Sequence, residues 1–74
     1  MSATALLADD YTIDTIEGEA RICRALSRLA AARAVHRTVP GTPAHRRCLD
    51  LATRYADAAE RLTRSVETMR SQAA

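Results

Sequence analysis

Val39-Pro40-Gly41-Thr42-Pro43 gathers both prolines of the chain and one of its two glycines into five residues. A proline inside a helix removes a backbone donor and clashes with the preceding turn, so a helix arriving from the N-terminal side stops here. Thr42 followed by Pro43 then reads as an N-cap and a first helical position. The threonine oxygen accepts from the free amides of the new helix, and proline loses nothing where the N–H would have no intrahelical partner. Working outward, the chain reads as helix, tight turn, helix. The first helix is expected over 14–38, with Asp14 at its start and Glu17 as a capping-box partner. The turn is expected over 39–42, the second helix over 43–71, and residues 1–12 as a short N-terminal arm, either disordered or a short helix. The expected fold class is all-α, a single domain over 1–74 built as an antiparallel two-helix hairpin.

The second helix carries a heptad seam: Cys48, Ala52, Tyr55, Ala59, Leu62, Val66 and Met69, spaced alternately by four and three residues. Leu51, Ala56 and Ala58 widen it. Arg46, Asp50, Arg54, Asp57, Arg61, Arg64 and Glu67 fall on the other side, so one face is expected to be buried and one wet. The first helix has a broader apolar arc, running from Leu29, Ile22 and Leu26 round through Cys23, Ala30, Ile16, Ala34, Ala20 and Ile13. One partner helix covers about half of such an arc. A second neighbour is therefore required: the apolar Ala3–Ala8 segment folding back, or another copy of the chain. Two hairpins joined in this way form a four-helix bundle, so a homodimer is expected, with Ile16, Ile22, Leu26 and Leu29 as the partner interface. Gly18 within this helix marks either a close helix crossing or a frayed start.

Seventy-four residues with no Trp and no Phe are too few for a large enclosed active site, and no apolar run approaches the ~20 residues of a membrane span. All eleven basic residues are Arg, and the formal charge of +2 conceals a strong segregation. Residues 1–20 hold Asp9, Asp10, Asp14, Glu17 and Glu19 and no Arg; residues 21–47 hold seven Arg and no acid; residues 48–74 hold four of each. Such segregation points to self-complementary packing or to an anionic partner. The N-terminus lacks the basic region of a signal peptide, so a cytoplasmic location with Cys23 and Cys48 reduced is expected.

Three site readings follow from the residues. Arg33, Arg37, Arg46 and Arg47, with His36 and His45, lie within about two turns of the corner. Arg33 and Arg37 suit the negative end of the first helix dipole, whereas Arg46 and Arg47 sit at the positive end of the second, where an external anion would relieve them. This basic tip is a candidate contact for nucleic-acid phosphate, or a solvated helix end, or a surface for an acidic protein. A helix-turn-helix unit headed by Arg46 and Arg47 fits less well, because both helices are longer than that motif uses. Cys23, His45 and Cys48 are metal-ligand types, but the hairpin register sets Cys23 about ten residues, or ~15 Å, from Cys48. They read as small hydrophobes, and neither a metal nor another cofactor is expected. Ser27, Ser65, the two His and the nine carboxylates show no nucleophile–base spacing, so no enzyme and no small-molecule substrate are expected. The leading expectation is a non-enzymatic protein–protein interaction module, an adaptor or regulator acting on itself or a partner protein. A nucleic-acid-binding regulator using the Arg-rich tip is the alternative.

Overall fold

The computed structural model describes residues 10–73, which form two α-helices: α1 (Asp10–Arg37) and α2 (Pro43–Ala73). No strand occurs among the described residues. The corner between the helices is a type II turn. Val39 O accepts from the Thr42 amide at 3.2 Å, Pro40 takes the position that wants φ near −65°, and Gly41 takes the next with φ +86°. Thr42 Oγ1 donates to Val39 O at 2.6 Å and accepts from the His45 amide at 3.2 Å, so one hydroxyl ties the turn to the cap of α2. A Cβ at Gly41 would meet no atom within 4 Å, so the requirement for glycine there is conformational. Gly41→Ala is expected to destabilise the hairpin by about 1–2 kcal/mol, the left-handed penalty of an L-residue. Thermal unfolding followed by far-UV circular dichroism checks this, with a fall of roughly 4–8 °C per kcal/mol.

The first helix starts four residues before the expected Asp14, and residues 10–12 of the expected arm belong to it. Ile13 is buried against α2, and holding it there requires helical backbone on its N-terminal side. Thr15 Oγ1 donates to Tyr11 O at 2.9 Å, a bond across that first turn, and Asp10 complements the positive end of the dipole. Glu17 is not a capping-box partner, because its carboxylate reaches across to Arg70 of α2 at 3.0 Å. At the other end α1 stops at Arg37 rather than Thr38, whose hydroxyl turns back to donate to Ala34 O at 2.6 Å. α2 runs two residues past Ser71, to Ala73. The remainder of the expected arm, and the Ala3–Ala8 segment, lie outside the described residues.

Bonds from Ser27 Oγ to Ala52 O at 2.7 Å, His45 Nδ1 to Ala34 O at 3.1 Å and Arg70 to Glu17 fix α1 and α2 antiparallel. The inward row of α1 is Ile13, Ile16, Ala20, Cys23, Ser27, Ala30 and Ala34, each buried or half-buried and spaced by three and four. The α2 seam from Cys48 to Met69 is likewise buried or half-buried throughout, and Arg46, Asp50, Arg54, Asp57, Arg61, Arg64 and Glu67 are all exposed. In the register set by these bonds, Ile13 stands opposite Val66, Ala20 opposite Ala59, Ser27 opposite Ala52 and Ala34 opposite His45. The Ala20–Ala59 and Ser27–Ala52 layers hold only small side chains, which lets the backbones approach closely there.

The result is a thin rod of 55 × 18 × 14 Å with a radius of gyration of 16.4 Å, against about 11 Å for a compact domain of this length. Four of the six buried apolar residues are alanine. Leu51 and Ala56, expected to widen the α2 seam, are exposed. Two helices alone do not cover the larger apolar side chains of this chain.

Candidate functional site

Part of the uncovered apolar surface lies on the outer side of α1, with Val35, Val39, Leu49 and Leu51 exposed elsewhere. Tyr11, Ile22 and Leu29 are 80%, 60% and 49% exposed. At 3.6 residues per turn they fall on one row with Thr15, Gly18, Ala25, Ala32 and His36. That row, 11-15-18-22-25-29-32-36, again alternates steps of four and three, and it lies about 150° round the helix from the inward row. α1 thus carries two heptad seams on opposite sides. α2 occupies one and, among the described residues, nothing occupies the other.

Of the interface residues expected from the sequence, Ile22 and Leu29 stand on this outer row, and Leu26 borders it half-buried. Ile16 is half-buried on the inward row, between the buried Ile13 and Ala20. The row also contains Gly18, read from the sequence as a close helix crossing or a frayed start, and Tyr11, Ala25 and Ala32, which that reading does not single out. Their signal was the second four–three spacing, masked because the whole apolar arc was taken as one continuous surface. Gly18 lies on this row, and the nearest atom to a Cβ placed there would be the Arg21 guanidinium at 3.9 Å, so the glycine leaves a shallow notch rather than filling a packed contact.

The basic tip is exposed at Arg33, Arg37, Arg46 and Arg47, and none of the four forms an ion pair among the described residues. No acid occupies the first turn of α2 to offset Arg46 and Arg47. His36 is exposed beside Arg37, but His45 has a structural task. Its Nδ1 lies 3.1 Å from Ala34 O and 3.0 Å from Thr38 Oγ1, while the Thr38 hydroxyl itself donates to Ala34 O. A carbonyl only accepts, so the proton of this contact sits on Nδ1 and closes the frayed end of α1. His45→Ala is expected to cost about 1 kcal/mol, read as a lower melting temperature with helix content unchanged.

Cys23 and Cys48 are free and half-buried in the two seams. No group of three His, Cys, Asp or Glu side chains among the described residues is gathered so as to hold a metal ion. The grooves along the hairpin are open to solvent. In one of them Arg24 donates to Thr63 Oγ1 at 2.6 Å, and in its neighbour Glu17 pairs with Arg70. These polar ties join the helices from the outside; at such exposure an ion pair of this kind contributes about 0.2–1 kcal/mol. No helix among the described residues is long and apolar enough to cross a membrane. The chain matches no protein-family model, and no curated protein or solved structure is significantly similar to it, so the reading of its outer face stands on the residues alone.

Proposed function

We propose that this chain is a non-enzymatic protein–protein interaction module, an adaptor or regulator, whose associating surface is the outer face of α1. The carrying observation is the second heptad seam there, with Ile22 60% and Leu29 49% exposed although α2 already covers the opposite side. A helix apolar on two opposed sides is suited to standing between two neighbours, and two such hairpins give a four-helix assembly in which the exposed α1 faces cover each other. A site in the cytoplasm accords with two reduced thiols held in the seams.

The basic tip supports a second reading, a regulator that contacts nucleic acid, because four exposed arginines there lack acidic partners among the described residues. No aromatic side chain neighbours them to stack on a base. The two readings separate in one titration. Fluorescence anisotropy of labelled duplex DNA and structured RNA is followed against the protein at ~50 and ~200 mM salt. The interaction-module reading predicts no binding even at the lower salt. Micromolar binding that weakens by orders of magnitude with salt, and is lost in Arg46→Ala/Arg47→Ala while surviving Leu29→Asp, would replace it with the nucleic-acid reading.

A further inference from the structure

We propose that the occupant of the outer α1 face is a second copy of this chain, paired antiparallel, α1 against α1, so that the four helices lie in a row with the two α2 helices outermost. The inference rests on the reading of α1 as the associating surface and adds its partner, direction and register.

Three features of the face carry it. The first is shape. On the outer row the positions at one heptad site are Tyr11, Gly18, Ala25 and Ala32, and those at the other are Thr15, Ile22, Leu29 and His36. Antiparallel helices bring the two kinds of site together in each layer. The register that overlaps the whole of α1, Asp10 against Arg37, sets Ile22 on Ala25, Leu29 on Gly18, Thr15 on Ala32 and Tyr11 on His36 of the other copy. Each inner layer then pairs a larger side chain with a smaller one, and the end layers set two rings, Tyr11 and His36, together. A parallel pairing stacks Ile22 on Ile22 and leaves Gly18 facing Gly18, an empty layer.

The second feature is charge. Glu19 and Arg33 flank the row on one side, and Asp14, Arg21 and Arg28 lie on the other; all five are exposed and outside any ion pair among the described residues. Antiparallel helices join each flank to the same flank of the other copy, which brings Glu19 to Arg33, a pair formed twice by the two-fold symmetry, and sets Arg28 between Asp14 and Arg21. Parallel helices instead bring Asp14 to Glu19 and Arg28 to Arg33, repulsive at both ends. The separation of acids into residues 10–19 and arginines into 21–47 is what an antiparallel self-pairing requires.

The third feature is direction. The outer row lies about 150° from the inward one, so the second copy adds on the far side of α1 from α2. That gives a four-helix layer in place of the square bundle formed when both helices of a hairpin share each face. It also leaves each basic tip beside the start of the other copy's α1, near Asp10.

The test is sedimentation equilibrium at low salt on the full chain and on Glu19→Arg, Arg33→Glu and both substitutions in one chain, with circular dichroism confirming helix content. These sites are exposed, so the hairpin persists in each. The wild type is expected to form dimers that Leu29→Asp dissociates. Each single charge reversal is expected to weaken its own homodimer by about tenfold. The doubly reversed chain, and an equimolar mixture of the two single variants, are expected to return to near the wild-type constant. Tightening by Glu19→Arg would establish the parallel arrangement and overturn the proposal. Indifference to every reversal, with dissociation by Leu29→Asp retained, would also overturn it while leaving the α1 surface in place. A wild type that stays monomeric up to ~1 mM would overturn self-pairing, and dimers indifferent to Leu29→Asp would overturn the α1 surface itself.

Discussion

Leu29→Asp is expected to raise the dissociation constant of the assembly by two decades or more while leaving the isolated hairpin nearly as stable as before. Covering a fully exposed leucine contributes about 1.5–3 kcal/mol of apolar burial, and Leu29, 49% exposed in the hairpin, gains about half of that. In a two-fold interface the substitution acts twice, so this loss is about 1.5–3 kcal/mol, roughly one to two decades in dissociation constant. Burying the introduced carboxylate adds to this, because a charge removed from water without a partner is costly. The hairpin is spared because Leu29 faces away from α2 and is 49% exposed within it. Leu51 supplies the control. It is nearly as exposed as Leu29, at 44%, but lies on α2 away from the outer row, so Leu51→Asp is expected to leave association within about 0.5 kcal/mol of the wild-type value. Equal effects from the two substitutions, measured by sedimentation equilibrium, would mean that exposure alone and not the row governs association.

The hairpin was legible because its signals are local. A corner with two prolines and a glycine admits little but a turn, and the α2 seam alternates apolar and charged residues so cleanly that its sides separate on the page. The first helix was harder. Its start was misplaced because Asp14 and Glu17 satisfy the spacing of a capping box, and that local signal lost to two longer-range facts: Ile13 is buried on α2, and Glu17 is drawn 53 residues along the chain to Arg70. Ser27, weighed from the sequence only as a nucleophile, occupies an inward position and donates to Ala52 O. A short hydroxyl at a narrow layer satisfies itself on the facing backbone and packs like alanine. His45, read with the basic tip and among the metal-ligand types, instead closes a helix end with its ring.

The outer face shows why an apolar arc should be divided before it is assigned. Taken whole, the arc of α1 gave Ile16 and Ile22 the same role. The packing of α2 splits them, taking Ile16 inward and leaving Ile22 outward. Once the inward row is subtracted, the remainder has its own spacing, its own sequence of large and small residues and its own flanking charges. The same segregation of charge that made the composition unusual then acquires a geometric use, because a helix with acids at one end and arginines at the other is complementary to a reversed copy of itself.

Ala59→Leu is expected to be the most damaging apolar substitution on α2. Ala59 is 2% exposed and stands opposite Ala20, also 2% exposed, in the narrow layer between Ile13–Val66 and the Ser27–Ala52 bond. Three added carbons have nowhere to go unless the helices part, and overpacking of this kind costs about 1–3 kcal/mol or more. A chain of this size holds only about 4–11 kcal/mol in all. Parting the helices at this layer also strains the Ser27–Ala52 bond one heptad nearer the corner, whose 2.7 Å length depends on the close approach. Ala56→Leu, on the exposed side of the same turn, is expected to change stability by no more than about 0.5 kcal/mol and so isolates the effect of position. Urea unfolding checks both, with the midpoint falling for Ala59→Leu and the slope unchanged. Combining Ala59→Leu with Ala20→Leu is expected to cost less than the two separately, because the first substitution has already opened the layer that the second would fill. Strict additivity would mean that the two alanines do not share a layer, and the register of the hairpin would have to be redrawn.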